Sequence, residues 1–323
     1  MATMTVMAHD AKQLSPVAFI ARVILSHGLG GRLPTTSWFQ DALEIGSGTV
    51  QKALLELKKS GAVQLVSRGH QGTFVVGWDF ARLWDAAHLA PVHMLLPPRG
   101  SQEATQVASA FVRQCSRWSV VTTVGYLRGA RSRLAAFEQG EADIVLLSSG
   151  SAQMLLAQAG EPDDELFDVG NGSYYRPQSL VVVEKNGAAP VGRRRVGIDF
   201  HSSDHQRLTR AQFPEQDYDY VEVDFTLLPR SVFLGEIDTG VWHQEASLIP
   251  LDRVGLSIRP LDNSAALTLA DSISSAVLLV RAATPVARLL HQLDMATLRQ
   301  QSLQLADGDS APFSGIPLAF RLP

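Results

Sequence analysis

Four short stretches place hydroxyl or guanidinium groups directly after apolar runs: Pro97-Pro98-Arg99-Gly100-Ser101, Gly125-Tyr126-Leu127-Arg128-Gly129, Ser148-Ser149-Gly150-Ser151 and His201-Ser202-Ser203-Asp204. The first three each precede a stretch of helical periodicity, and a helix is expected over 205–213 after the fourth. Backbone N–H groups at a helix start lack partners and the helix dipole is positive there, so such a place receives anions well. A small carboxylate, phosphate or phosphonate is the expected ligand, held by Arg99, Ser101, Tyr126, Arg128, Ser148, Ser149, His201, Ser202 and Ser203. A single serine before a helix is ordinarily only a cap. Their recurrence after successive strands is what points to a site. Asp238 offers a ligand amine a partner, or caps or pairs locally, and Trp242 with Tyr126 either flanks a ligand or packs in a core. Arg193-Arg194-Arg195 reads as a solvated turn.

A different chemistry sits between Gly31 and Val75. Val50, Ala53, Leu54 and Leu57 share one face at helical spacing, and Thr49, Gln51 and Lys52 point off it near the helix start. Gly61 suits a left-handed cap. Residues 63–66 and 73–76 read as two short strands, with Gly69 and Gly72 permitting the turn. Helix, turn, helix and basic hairpin suit a winged reader of DNA. Ser47, Thr49 and Gln51 are expected on bases or adjacent phosphates, Lys52 and Arg68 on phosphates, and His70 with Gln71 near the minor groove. Arg32, Thr36, Ser37 and Gly48 complete the expected DNA face.

At 323 residues the chain holds two or three domains, and 46% hydrophobic with 19% charged residues marks it as globular. Its single cysteine, Cys115, excludes an internal disulfide framework and a multi-cysteine metal site. No metal or cofactor is expected, since the nine histidines are scattered without ligand spacing. Gly-x-Ser-x-Gly, a phosphate-loop Gly-Lys-Ser/Thr and His-Glu-x-x-His do not occur. Gly28-Leu29-Gly30 is no dinucleotide fingerprint, because it follows a helix and Leu33 stands where the third glycine belongs. No apolar run is long enough to span a membrane, and no basic region with an apolar core opens the chain, so a cytoplasmic setting is expected. The net charge is −4, split as +2 over residues 1–80 and −6 beyond. The asymmetry favours DNA at the N-terminal part.

The elements divide accordingly. Residues 1–14 form a flexible tail, 15–77 the winged helix-turn-helix, 78–90 a linker helix, and 91–323 an effector domain. Ser15-Pro16 starts a helix whose buried stripe is Phe19, Ile20, Val23 and Ile24. Beyond Pro91, strands at 92–96, 120–124 and 142–147 alternate with helices at 101–115, 131–138 and 152–159, which means an α/β sheet with crossovers. Strands at 180–183, 196–198, 220–223 and 277–280, and helices at 231–235 and 284–298, follow. Lobe I is expected at about 91–178 and 251–323, and lobe II at about 179–250.

The ordered set Leu33-Pro34, Thr49-Val50, Ala53-Leu54, Leu57 and Gly72-Thr73-Phe74-Val75 resembles the DNA-binding domain of GntR-type bacterial transcriptional regulators, over about a fifth of the chain. Most of that family carries arginines where Ser37, Ser47 and Gln51 stand here, so the resemblance implies a different operator. Gln51 retains a bidentate contact to adenine. The runs Phe137-Glu138-Gln139-Gly140-Glu141-Ala142-Asp143-Ile144 and Leu234-Gly235-Glu236-Ile237-Asp238-Thr239-Gly240-Val241-Trp242 resemble the two-lobed type 2 periplasmic-binding-protein fold used by effector domains. Together the two parts resemble the YhfZ-type group of regulators. The resemblance implies a transcription factor whose ligand the family does not fix; DNA geometry adds a homodimer on a near-palindromic operator in double-stranded DNA, and the missing catalytic motifs speak against an enzyme. Two alternatives stand beside it: an enzyme on the two-lobed fold with an appended winged helix, and a scaffold whose winged helix meets only protein.

Overall fold

A computed structural model describes residues 13–98, 101–159, 164–187, 192–244 and 250–304. The expected tail over 1–14 falls almost wholly outside them.

Helix α1 (Pro16–His27) opens as expected: the Ser15 hydroxyl accepts from Ala18 N at 3.2 Å, with proline in the first turn. α2 (Thr36–Leu43) is capped by Thr35, and α3 (Ser47–Lys59) buries Val50, Ala53 and Leu57. Gly61 has φ +73° and donates to Lys58 O at 3.1 Å, a left-handed helix stop. β1 (Val63–Ser67) and β2 (Thr73–Trp78) form an antiparallel hairpin whose tip, Gly69–Gln71, is one short 3-10 turn. Phe19, Trp38 and Phe39 pack against one another, with the Trp38 and Phe39 rings 5.2 Å apart edge to face.

α4 (Phe80–Ala86) falls within the expected linker helix and packs in the core. Phe80, Leu83 and Trp84 are buried, and the Phe80 ring meets Trp118 at 5.4 Å.

Lobe I holds β3 (Val92–Leu96), α5 (Gln102–Cys115), β4 (Thr122–Tyr126), α6 (Ala130–Glu138), β5 (Ile144–Ser148), α7 (Ser149–Ala159) and β6 (Asp164–Gly170). Lobe II holds β7 (Leu180–Lys185), β8 (Arg195–Ile198), α8 (Ser203–Gln212), β9 (Asp219–Glu222), α9 (Leu228–Leu234), β10 (Thr239–His243) and β11 (Leu256–Pro260). The chain returns through α10 (Ser264–Ser272) to β12 (Ala276–Arg281), α11 (Pro285–His291) and α12 (Met295–Gln304). Each lobe is built on one five-stranded sheet, ordered β4-β3-β5-β12-β6 and β11-β7-β10-β8-β9. Within them β4, β3 and β5 run parallel, as do β10, β8 and β9.

Several boundaries differ from the expectation. β11 pairs antiparallel with β7, so the return to lobe I follows Pro260 rather than falling at 251. The strand expected at 120–124 lies two residues later, and the single helix over 284–298 is two, interrupted where the Asp294 carboxylate accepts from Ala296 N at 3.0 Å. β6 and β11 were not anticipated. Both are edge strands with one side open to water, and their acids, arginine and proline hide the apolar alternation.

The winged helix is fastened to lobe I. Arg288 on α11 donates Nε and Nη2 to Ser26 O at 3.3 and 3.2 Å, and its side chain lies over Gly28. Arg22 Nε reaches Ala87 O at 2.8 Å. One continuous apolar core runs from Phe19 and Leu25 through Leu83 and Trp84 to Leu289 and Leu290.

Candidate functional site

At the candidate DNA-reading face, Ser47, Gly48, Thr49, Gln51 and Lys52 are all exposed on the first turns of α3, while Val50 and Ala53 are buried beneath them. Arg68, His70 and Gln71 are exposed at the wing tip, and the Arg68 guanidinium lies 4.9 Å over the Phe74 ring. Arg32 bridges to Phe74 in the wing, and its guanidinium crosses Gly72. Ser37 is exposed and Thr36 half-buried at the start of α2, whose cap is Thr35. The expected set is therefore presented on the start of α3, the start of α2 and the hairpin.

The second candidate site lies between the lobes. β3, β4 and β5 of lobe I and β8 of lobe II end there, the position where open α/β sheets receive ligands. Arg128, just after β4, crosses the gap: Nη2 donates to Asp199 Oδ2 at 2.7 Å and Nη1 lies 2.9 Å from Asp224 Oδ2. Asp199 directly follows β8 and also accepts from the backbone N–H of His201 at 2.8 Å and of Phe225 at 3.2 Å. Burial pushes its carboxyl up, but the Arg128 guanidinium and these two N–H groups together outweigh it and hold the group below the usual carboxylate range. Asp199 N donates to His205 Nδ1 at 3.0 Å, so His205 is neutral there and gives its Nε2 proton to Val241 O at 2.7 Å. Burial pushes that imidazole pKa down.

A second crossing joins Ser148 to Asp204. The Ser148 hydroxyl donates to Asp204 Oδ2 and accepts from Ser151 N at 3.0 Å, so it caps α7 and reaches lobe II at once. Ser151 Oγ is 3.2 Å from Ser203 Oγ. Burial pushes the Asp204 carboxyl up, against Ser148, Arg207, Arg133 and Ser151. Farther along, His243 Nε2 lies 3.3 Å from Glu103 Oε2, and Arg176 Nε 3.4 Å from Glu103 Oε1.

The structure thus brings Arg128, Ser148, Ser202 and Ser203 to the gap, with Ser149 beside Ser148 on the lobe I side. Ser202 caps α8 through His205 N, Ser101 caps α5 through Ala104 N, and Ser149 Oγ donates to Ser272 O. His201 is exposed, 4.0 Å from Glu222 Oε1. Tyr126, at the end of β4, is half-buried and packs against the main core. Arg99 lies outside the described residues. Of the two roles open to Asp238 and to Trp242, the structure shows local pairing for the first and core packing for the second. Asp238 sits at the start of β10 and pairs with Arg195 at 2.8 Å at the start of β8, the opposite end of the strands from Asp199. Trp242 is 6% exposed in the core under α9, because side chains alternate and Val241 and His243 take the other face. Asp199, Asp204 and Asp224 were not anticipated as cleft residues. The available signal was the acid directly after a strand and the acid beside Ser202-Ser203.

Among the described residues no group of three metal-ligating side chains occurs, and Cys115 is buried with its thiol pushed up to about 12. No described helix is long and apolar enough to cross a membrane.

Fold and faces define a class: a helix-turn-helix module joined to a two-lobed α/β domain. The family model for the YhfZ C-terminal domain matches residues 79–313, and a helix-turn-helix domain model matches residues 28–75. The chain belongs to the YhfZ family. It is 25% identical to YhfZ of Escherichia coli (strain K12) over 245 residues, 76% of this chain and 79% of that protein. The crystal structure of YhfZ from Shigella flexneri is similar with a TM-score of 0.54 at 22% identity, covering 72% of this chain and 97% of that one.

Proposed function

We propose that this protein is a cytoplasmic, homodimeric transcription regulator, not an enzyme, that reads a near-palindromic operator in the GntR manner and senses a small anionic metabolite between its lobes. The observation that carries the DNA half is the exposed polar start of α3. Five consecutive or near-consecutive residues, Ser47 to Lys52 apart from the buried Val50, face solvent beside an exposed wing tip. A recognition helix needs that presentation to reach base edges and phosphates. Two such helices on one dimer would meet half-sites about one or two helical turns apart.

The sensing half is supported by the polar groups gathered where strands of both lobes end, and by Arg128 bridging the lobes. Since the winged helix is bonded to lobe I through Arg288, and to the end of α4 through Arg22, a change in the lobe II position relative to lobe I would alter dimer geometry rather than swing a loose reader. The test is binding of purified protein to labelled DNA from upstream of its own gene, against a scrambled fragment, titrated with salt. A preference that persists at physiological salt supports the regulator. Turnover of a metabolite by the purified protein, with no sequence preference on a genome-wide selection, would favour the enzyme alternative.

A further inference from the structure

Asp204 sits in the first turn of α8, yet its carboxylate does not serve that helix; Ser202 is the cap. It points instead across the lobe gap at the first turn of α7. There Oδ2 receives the Ser148 hydroxyl and, at 3.5 Å, that of Ser151. Oδ1 has no hydrogen-bond partner, although the residue is only 4% exposed. Asp199, another buried carboxylate of the gap, is fully provided for by Arg128, His201 N and Phe225 N. A buried carboxylate with one oxygen unsatisfied is held poorly. The approach is close because position 150 is glycine. A β-carbon there would meet Asp204 Oδ1 at 3.0 Å and Ile273 Cγ2 at 2.4 Å.

We propose that the start of α7, formed by Ser148, Gly150 and Ser151, is a carboxylate-receiving site, and that Asp204 of the opposite lobe occupies it when no effector is present. The effector then carries a carboxylate, which takes the donors of Ser148 and Ser151 and displaces Asp204, freeing lobe II at this contact. This deepens the reading of the gap as the effector site and rests on it. The tethered Asp204 has a high effective concentration, so weak free carboxylates do not compete in the wild-type chain.

The test is amide hydrogen exchange of the full-length protein at the start of α7, with sodium formate as probe and sodium chloride at equal ionic strength as control. Asp204→Gly should speed exchange of this turn by about tenfold, the factor one hydrogen bond to a charged group is worth. Formate should restore protection in Asp204→Gly, leave wild type unchanged, and do nothing in an Asp204→Gly/Ser148→Ala double variant. Asp204→Asn keeps the shape and guards against a folding failure of the glycine variant. There formate should displace the neutral amide and raise exchange at the start of α8. Unchanged exchange in Asp204→Gly, no formate response in either Asp204 variant, or rescue that survives Ser148→Ala would overturn the carboxylate site. With no DNA present, such a result leaves the DNA-reading proposal standing, whereas loss of all ligand response at the lobes would remove the effector reading itself.

Discussion

The start of α3 and the gap between the lobes both carry serines and a basic group, but these are satisfied differently. Ser47, Thr49, Gln51 and Lys52 are exposed and make no side-chain hydrogen bond or ion pair among the described residues. Arg128, Ser148 and Ser151 are already bonded to the facing lobe. A surface kept hydrated gains contacts when a partner arrives. A gap whose groups satisfy one another must exchange contacts, so an effector there competes with the protein itself. The first arrangement suits binding a preformed polyanion, and the second suits a switch between two states of similar free energy.

Mutation should separate the two regions. Arg128→Ala leaves Asp199, whose side chain is 1% exposed, beside Asp224 without a cation. A loss of about 2–3 kcal/mol in urea unfolding is expected, below the figure for a fully buried pair because the guanidinium is partly hydrated. Lys52→Ala should stay within about 0.5 kcal/mol in the same assay. Equal, small effects at both positions would erase the contrast. On DNA the order reverses. Gln51→Ala should remove about 1–3 kcal/mol of discrimination at one base pair in a binding-site selection; an unchanged preferred sequence would take Gln51 off the bases. Lys52→Ala should weaken all DNA alike and flatten the salt dependence by roughly one unit of slope, and Arg128→Ala should leave that slope alone.

The smallest effect is a pH dependence confined to the gap. The folded Asp199 carboxyl titrates below its unfolded value, so its contribution is present above the ordinary carboxylate range and fades as pH falls through the lowered pKa. Urea midpoints of wild type should therefore drop on acidification more than those of Arg128→Ala. A parallel drop in both would mean that Arg128 does not hold the Asp199 pKa down.

What the sequence disclosed follows from periodicity. The helical spacing of Val50, Ala53 and Leu57 marked α3, and the unbroken apolar run ending at Ser148 marked a strand covered on both faces. β11 was hidden because Arg259 and Pro260 sit on a sheet edge. In the gap, serines and Arg128 were legible because strand ends precede them. Spacing alone left two roles open for Asp238 and Trp242; an acid before a strand lies at the end away from the gap, and the alternation along β10 puts Trp242 on the face under α9. The carboxylates of Asp199 and Asp204 escaped because their role depends on lobe II meeting lobe I, which no local spacing encodes.

Whether this member of the YhfZ family reads DNA is decided by a hydroxyl-radical footprint of the purified protein across its own upstream region at physiological salt. Two protected patches on one face of the duplex, about one or two helical turns apart and lost with Gln51→Ala, are the predicted result. Uniform, weak protection that vanishes with added salt, there and on a genome-wide selection, would contradict it.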